Sequence, residues 1–312
     1  MKTGNATTSA CPRCGGRQYL IERREDRAAA RVCDCARPCR YCGGQGFVRV
    51  TQEGTFSQKM GPKQYEVVAP CSCRLLEQRV TRYNDAGIPG VLSHAQFENY
   101  QPAVEGQYRA QQIATAFAMN YQRGKTNRGF ILSGPVGAGK THLIAAALSH
   151  LLLELGVRCR YVEISLLYQD IRNGFQQGKS SGEIIGPLSE LEVVAIDELG
   201  KGRGSPFELE TLDELIARRY NAGRTTLFTT NYSLEYEKKP ARHAASGHRT
   251  TEELKGASKD SELLRDRVGE RIYSRLCEMC EFVEMPGAPD HRHLEHEKQR
   301  PSRAPHSRGR TG

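Results

Sequence analysis

Gly134-Pro135-Val136-Gly137-Ala138-Gly139-Lys140-Thr141 is the stretch on which the reading of this chain turns. A short apolar run, Gly129 to Leu132, precedes it and reads as a strand. His142 to Leu155 follows, with apolar residues at helical spacing. Strand, glycine loop and helix in that order turn the pattern GxxxxGK[ST] into a phosphate-binding P-loop. Gly134, Gly137 and Gly139 supply backbone angles closed to other residues, so main-chain N–H groups can converge. With the positive end of the following helix, those donors cradle a polyphosphate. Gly134, Pro135, Val136, Gly137, Ala138, Gly139, Lys140, Thr141 and His142 are therefore the candidate nucleotide-binding set. Lys140 is expected to reach the β- and γ-phosphates and the Thr141 hydroxyl to ligate Mg²⁺, which makes ATP and Mg²⁺ the expected cofactors. A glycine-rich turn before a core helix is the plainer reading, and the flanking strand and helix disfavour it.

A P-loop needs a second acidic element to complete the magnesium site. Leu191 to Ile196 is a β-branched apolar run of the kind found in buried parallel strands, and it ends in Asp197-Glu198. Asp197 is expected to hold Mg²⁺ and Glu198 to polarise the attacking water. A third strand, Thr225 to Thr230, ends at Asn231, a polar tip that could sense the γ-phosphate. Glu270 to Leu276 reads as a basic helical turn containing Arg275, an arginine able to reach a neighbouring subunit's nucleotide. Strands alternating with helices predict an α/β fold with a parallel sheet and the ligand at the strands' carboxyl ends.

Lys and Arg total 45 against 36 Asp and Glu, a net charge of +9 that favours an anionic partner such as nucleic acid. The polar stretch Met1 to Ala10 lacks the apolar run of a signal peptide. No apolar stretch approaches the roughly 20 residues of a membrane span. A cytoplasmic protein without a membrane partner is the expectation. Eleven cysteines in a reducing compartment then suggest metal ligands rather than disulfides.

Eight of those cysteines form an internal repeat. One copy runs from Cys11-Pro12-Arg13-Cys14-Gly15-Gly16 to Cys33-Asp34-Cys35; the other runs from Cys39-Arg40-Tyr41-Cys42-Gly43-Gly44 to Cys71-Ser72-Cys73. Each opens with CxxCGG, closes with CxC and holds β-prone runs between, the pattern of a zinc ribbon in which a hairpin completes a tetrahedral thiolate site. The repeat favours sequential pairing, Cys11, Cys14, Cys33 and Cys35, then Cys39, Cys42, Cys71 and Cys73, with a cross-braced pairing as the alternative. Two Zn²⁺ ions are expected, supplying much of the folding free energy of modules this small. Arg13, Arg37, Arg40 and Arg74 stand ready to offset thiolate charge. Cys159, Cys277 and Cys280 read as core or helix-face residues.

The expected organisation is a flexible N-terminus over 1–10, a tandem zinc-ribbon domain over 11–74 and a helical linker over 75–128. A P-loop domain over 129–285 follows, interrupted by a charged insertion over 233–268, and then a basic disordered tail over 286–312. The linker is expected to contain helices over Arg74 to Asp85 and Gln107 to Gln122, with Ile88, Phe97 and Tyr100 anchoring it.

In order, GPVGAGKTHL (Gly134 to Leu143), VVAIDELG (Val193 to Gly200), TTLFTTNY (Thr225 to Tyr232) and GERIYSRL (Gly269 to Leu276) resemble the motifs of the DnaC/DnaI/IstB branch of AAA+ ATPases. The resemblance extends back through RLLEQRVTRYNDAGIPGVLSHAQFENY, Arg74 to Tyr100. It implies Lys140 and Thr141 as Walker A, Asp197 and Glu198 as Walker B, Asn231 as sensor 1, Arg275 as arginine finger and Arg292 as sensor 2. Many members carry Asp-Asp where this chain has Asp197-Glu198, a change that keeps a carboxylate at the base position. The resemblance implies a homo-oligomerising ATPase, slow in isolation, that acts in DNA replication as a helicase loader on single-stranded DNA with a replicative helicase as partner. The alternatives are a transposition helper ATPase of the IstB kind and a nucleotide-gated zinc-ribbon adaptor with negligible turnover.

Overall fold

The computed structural model describes residues 11–54, 63–234 and 263–291. The expectations for residues 1–10, for most of the charged insertion, for the tail from Arg292 onward and for Arg292 itself lie outside the described residues.

Two short antiparallel hairpins come first. β1 (Tyr19–Arg24) pairs with β2 (Arg27–Val32), and β3 (Phe47–Gly54) pairs with β4 (Lys63–Pro70). Helix α1 (Ser72–Asp85) then starts inside the second copy's CxC pair, two residues before the Arg74 expected from sequence, and α2 (Glu105–Asn120) follows. The stretch expected as a linker packs into the core: Leu76, Val80 and Tyr83 of α1 and Ala110, Ala114 and Ala118 of α2 are all buried there. Ile88, Phe97 and Tyr100 are buried with them, so the segment is anchored as expected.

The main sheet contains β5 (Gly129–Ser133), β6 (Cys159–Glu163), β7 (Val193–Asp197), β8 (Thr225–Thr230) and β9 (Cys280–Glu284). Their order is β6-β7-β8-β5-β9 and every pairing is parallel. Successive side chains on a strand point to opposite faces. Phe130, Leu132, Val193, Ala195 and Leu227 accordingly join one apolar cluster with α1, α2 and α3 (Lys140–Leu153). Ile131, Val194, Ile196 and Phe228 join another. That second cluster is completed by α4 (Ile164–Gln176), α5 (Ser181–Glu190), α6 (Pro206–Asn221), α7 (Leu264–Val268) and α8 (Glu270–Met279). The result is a three-layer α/β sandwich, with the parallel sheet buried on both faces as such sheets must be. Cys159 and Cys280 are buried in it, while Cys277 lies exposed on α8.

Arg219 is fully buried, a costly place for a cation. Its guanidinium donates to the carbonyls of Leu188, Leu191 and Thr225 and to the Thr226 hydroxyl, tying the end of α5 to the start of β8. Between β6 and β7 the chain is mostly helical, and Arg172 on α4 donates to Glu208 Oε1 at 2.9 Å.

Residues 286–291, the first of the stretch expected as a disordered tail, are described and lie against the P-loop. The Met285 amide donates to Ser133 O at 2.8 Å and the His291 amide to Gly137 O at 3.2 Å. Room for this comes from a glycine: a Cβ on Gly137 would lie 1.9 Å from Asp290 Oδ1. Pro, Gly and His in that segment hid a strap over the P-loop.

Candidate nucleotide site and cysteine centres

β5 ends at Ser133 and the glycine loop turns directly into α3, whose N-cap, Gly139, has φ of 85°. Lys140 is buried and its Nζ donates to Gly134 O and Pro135 O, each at 2.7 Å. Tyr100 lies under the loop and donates to Ala138 O at 2.9 Å; Gln107 Nε2 donates to the same oxygen at 3.0 Å. His142 Nε2 lies 2.9 Å from Gln96 O, and burial holds its imidazole pKa below the ordinary value.

The P-loop and the acidic strand meet at one carboxylate. The Thr141 hydroxyl lies 3.2 Å from Asp197 Oδ1 and 3.3 Å from Oδ2. Two further groups grip Asp197: the Tyr161 hydroxyl donates to Oδ2 at 2.5 Å, and the Thr229 hydroxyl donates to Oδ1. Burial, and then the Asp197 charge, push the Tyr161 phenol well above its usual pKa, so it stays a donor. Sequence reasoning missed both residues. Their available signal was register, since Tyr161 opposes Ala195 two places before the acid, and Thr229 belongs to the polar end of β8.

Thr229 also accepts the Glu198 amide at 2.9 Å. Glu198 itself turns out of the strand with φ of 61°, a left-handed angle that costs a non-glycine residue about 1 kcal/mol. That turn separates it from buried Asp197 and leaves its carboxylate partly exposed, paired with Lys201. Lys201 also reaches Glu163 Oε1 at 3.4 Å, and the Glu198 bond is the main reason its ammonium pKa is raised. Asn231 lies exposed just beyond β8, between the P-loop strand and the acidic strand in sheet order. Arg275 is held by Asp213 Oδ1 at 2.5 Å, with Arg271 at 3.7 Å from the other oxygen. The oxygen set of Thr141 and Asp197 suits Mg²⁺, a hard cation that prefers carboxylate, hydroxyl and water ligands.

The cysteines group sequentially. Cys11, Cys14, Cys33 and Cys35 form one cluster, and Cys39, Cys42, Cys71 and Cys73 form the other; in each, all sulfurs lie within 4.8 Å of one another. Within the clusters, the sulfurs of the CxxC pair face those of the CxC pair at 4.0 Å for Cys11–Cys33, 3.5 Å for Cys14–Cys35, 3.7 Å for Cys39–Cys71 and 3.5 Å for Cys42–Cys73. Zn–S bonds of about 2.3 Å in a tetrahedron put sulfurs about 3.8 Å apart, so both clusters fit that ion. The knuckles repeat in detail: Gly15 and Gly16 have φ of 59° and 88°, and Gly43 and Gly44 have 60° and 92°. The Gln18 amide points at Cys14 Sγ and the Gly46 amide at Cys42 Sγ. The Gly46 amide holds the Cys42 thiol at about 6; Cys14 settles at about 7 because amide donors outweigh its burial. Of the neighbouring arginines, Arg13 pairs with Asp34, Arg37 with Glu77, and Arg40 and Arg74 lie over aromatic rings.

A buried parallel sheet, a P-loop on its central strand and an acidic strand set one strand away, with a polar-tipped strand between, define a P-loop protein of the AAA+ class. Residues 76–240 match the family model described as IstB-like ATP binding protein, and the chain belongs to that family. It is 29% identical over 154 residues to the replicative helicase loader DnaC of Escherichia coli K12, a match covering 49% of this chain and 62% of the loader. It thus spans less than two thirds of that relative. It is 31% identical over 189 residues to YdaV of the same strain, covering 61% of this chain and 74% of YdaV. A crystal structure of the DnaC helicase loader superposes with a TM-score of 0.50 at 26% identity, covering 62% of this chain and 98% of that one. No helix among the described residues is long and apolar enough to cross a membrane.

Proposed function

We propose that this chain is an ATP-hydrolysing assembly factor of the helicase-loader type, acting in DNA replication. The observation that supports it best is the convergence of Thr141, Tyr161 and Thr229 on Asp197, with Glu198 set apart beside it. Lys140 leaves the Gly134 and Pro135 carbonyls to meet the β- and γ-phosphates. Thr141 and Asp197 hold Mg²⁺, which neutralises phosphate charge when bound. Glu198 leaves Lys201 to orient the attacking water, and Asn231 reports the γ-phosphate. Arg275 leaves Asp213 to complete the site of an adjoining subunit, a contribution worth roughly 10³ to 10⁵ in rate. Turnover by the isolated chain is therefore slow. Each cysteine cluster would hold a Zn²⁺ ion, ATP governs assembly on single-stranded DNA, and the ribbon region docks a replicative helicase.

The test is Glu198→Gln, assayed for ATP hydrolysis and for nucleotide retention. The reading expects turnover to fall about 100-fold or more while ATP stays bound. Unchanged turnover overturns the assignment of Glu198, and full loading activity without turnover favours a nucleotide-gated adaptor. The IstB-like family match keeps a transposition helper as the second reading. Preference for duplex over single-stranded DNA at matched salt selects it.

A further inference from the structure

The second ribbon presents a face that the nucleotide site does not use. Along β3 and β4, alternate residues are exposed: Phe47, Arg49 and Thr51 on one strand, and Glu66, Val68 and Pro70 on the other. Register sets Phe47 opposite Pro70 and Arg49 opposite Val68, so these side chains share one side of the hairpin. Tyr41, 65% exposed, stands at its edge, and Phe47 and Val68 are 43% and 68% exposed. Together they line an open cleft of about 820 Å³ that also includes Arg49.

An arginine lies over each aromatic ring. The Arg40 guanidinium lies 4.9 Å from the Tyr41 ring centre, and the Arg74 guanidinium 4.6 Å from that of Phe47. Arg49 and Glu66 form a loose, exposed pair at 3.8 Å. From Arg37 through Arg74 the sequence carries six Arg and Lys against two Glu, and from Cys11 through Ala36 six Arg against four Asp and Glu. The second module stays positive even after the double negative charge of a zinc–tetrathiolate centre is counted. Flat rings with an arginine beside each, on a positive open surface, match what unpaired bases need: a π-face to stack on and a cation for the phosphate. Bases within a duplex cannot reach such rings.

We propose that this face of the second ribbon is a binding site for single-stranded nucleic acid that works without bound nucleotide. Bases stack on Tyr41 and Phe47, Val68 supports them, and Arg40, Arg49 and Arg74 take the backbone. The proposal rests on the single-stranded DNA part of the preceding reading and gives it a location outside the ATPase core. The remaining ribbon surface is left for a protein partner.

The experiment is fluorescence anisotropy of a labelled oligothymidylate with full-length, zinc-loaded protein, with and without a non-hydrolysable ATP analogue. The double variant Tyr41→Ala/Phe47→Ala is expected to weaken nucleotide-free binding about 10- to 100-fold. Phe47→Tyr should keep it, and Arg49→Glu should weaken it and flatten its salt dependence. Zinc content and melting temperature should match the parent, and Arg49→Glu, on an exposed position, keeps the test valid if the double variant fails to fold. Nucleotide-free binding within twofold of the parent in the folded variants overturns the proposal, as does loss of helicase capture alone, which marks the face as a protein dock. Lys140→Ala should abolish only the nucleotide-dependent increment. If that increment survives the ribbon variants while nucleotide-free binding does not change, the core reading stands and this site falls.

Discussion

The two cysteine modules are copies in sequence and differ in what their hairpins touch. In the first, Tyr19, Ala28 and Ala30 are buried in the same cluster as α1 and α3. The Tyr19 hydroxyl donates to Glu154, Asn84 pairs with both the amide and the carbonyl of Ala30, and the Ala28 amide donates to Ile88 O. In the second, the alternate positions are exposed, and its attachment is α1 beginning at Ser72. The small alanines of β2 let the first hairpin lie flat on α1; Phe47, Arg49 and Val68 in the second would hold any helix away. The same cysteine knuckle thus serves as a brace in one copy and a platform in the other.

The sharpest way to break this contrast is to remove one cysteine pair at a time. Cys11→Ser/Cys14→Ser should lower the core melting temperature by about 10 °C or more, since structural zinc contributes on the order of 10 kcal/mol to its module and that module is part of the core. Cys39→Ser/Cys42→Ser should leave the core transition within about 2 °C. Equal effects, read by differential scanning calorimetry with zinc quantified, would erase the distinction.

Single side chains come next. Tyr19→Ala should cost about 3 kcal/mol in urea unfolding through lost packing and a lost hydrogen bond, whereas Tyr41→Ala should stay within about 0.5 kcal/mol. Asn84→Ala leaves the Ala30 amide and carbonyl without this partner and should cost about 2 kcal/mol. A negligible cost for Asn84→Ala would mean that β2 holds its place through packing alone.

The smallest effect is a pH dependence at the seam of the first module. His150 is half-buried one turn before Glu154, and burial is the main cause of its lowered pKa, with Glu154 and Glu98 pulling it partly back. The folded state therefore binds fewer protons than the unfolded chain near the ordinary value of about 6.5. Stability from this group is present above that pH and is lost as pH falls through it. Urea midpoints between pH 8 and pH 5 should decline less steeply in His150→Gln than in the parent.

Much of the architecture was legible because glycine, lysine and cysteine patterns encode local geometry. The loop from Gly134 to Thr141, the strand ending at Asp197 and the two CxxCGG knuckles each dictate a turn, and their spacing required a parallel sheet and two hairpins. Tyr161 and Thr229 were not legible, because their roles depend on which strands are neighbours. The strap of residues 285–291 over the P-loop was hidden by a composition usually found in loops, and it depends on Gly137 having no side chain. The unlike settings of the two ribbons could not be read either, since a shared cysteine pattern is silent about what each outer face meets.

Helix α1 carries a consequence of its own. Its sequence from Ser72 to Asp85 contains no glycine or proline, and its 14 residues span about 21 Å as an unbroken rod. One end is built from thiol-bearing residues of the outer module. Just past the other, the Ala86 carbonyl accepts the Tyr161 amide at 2.8 Å, and the Tyr161 hydroxyl holds Asp197. An unbroken rod therefore joins the second cysteine cluster to the strand whose tyrosine holds the buried acid, so the two sites share one rigid element.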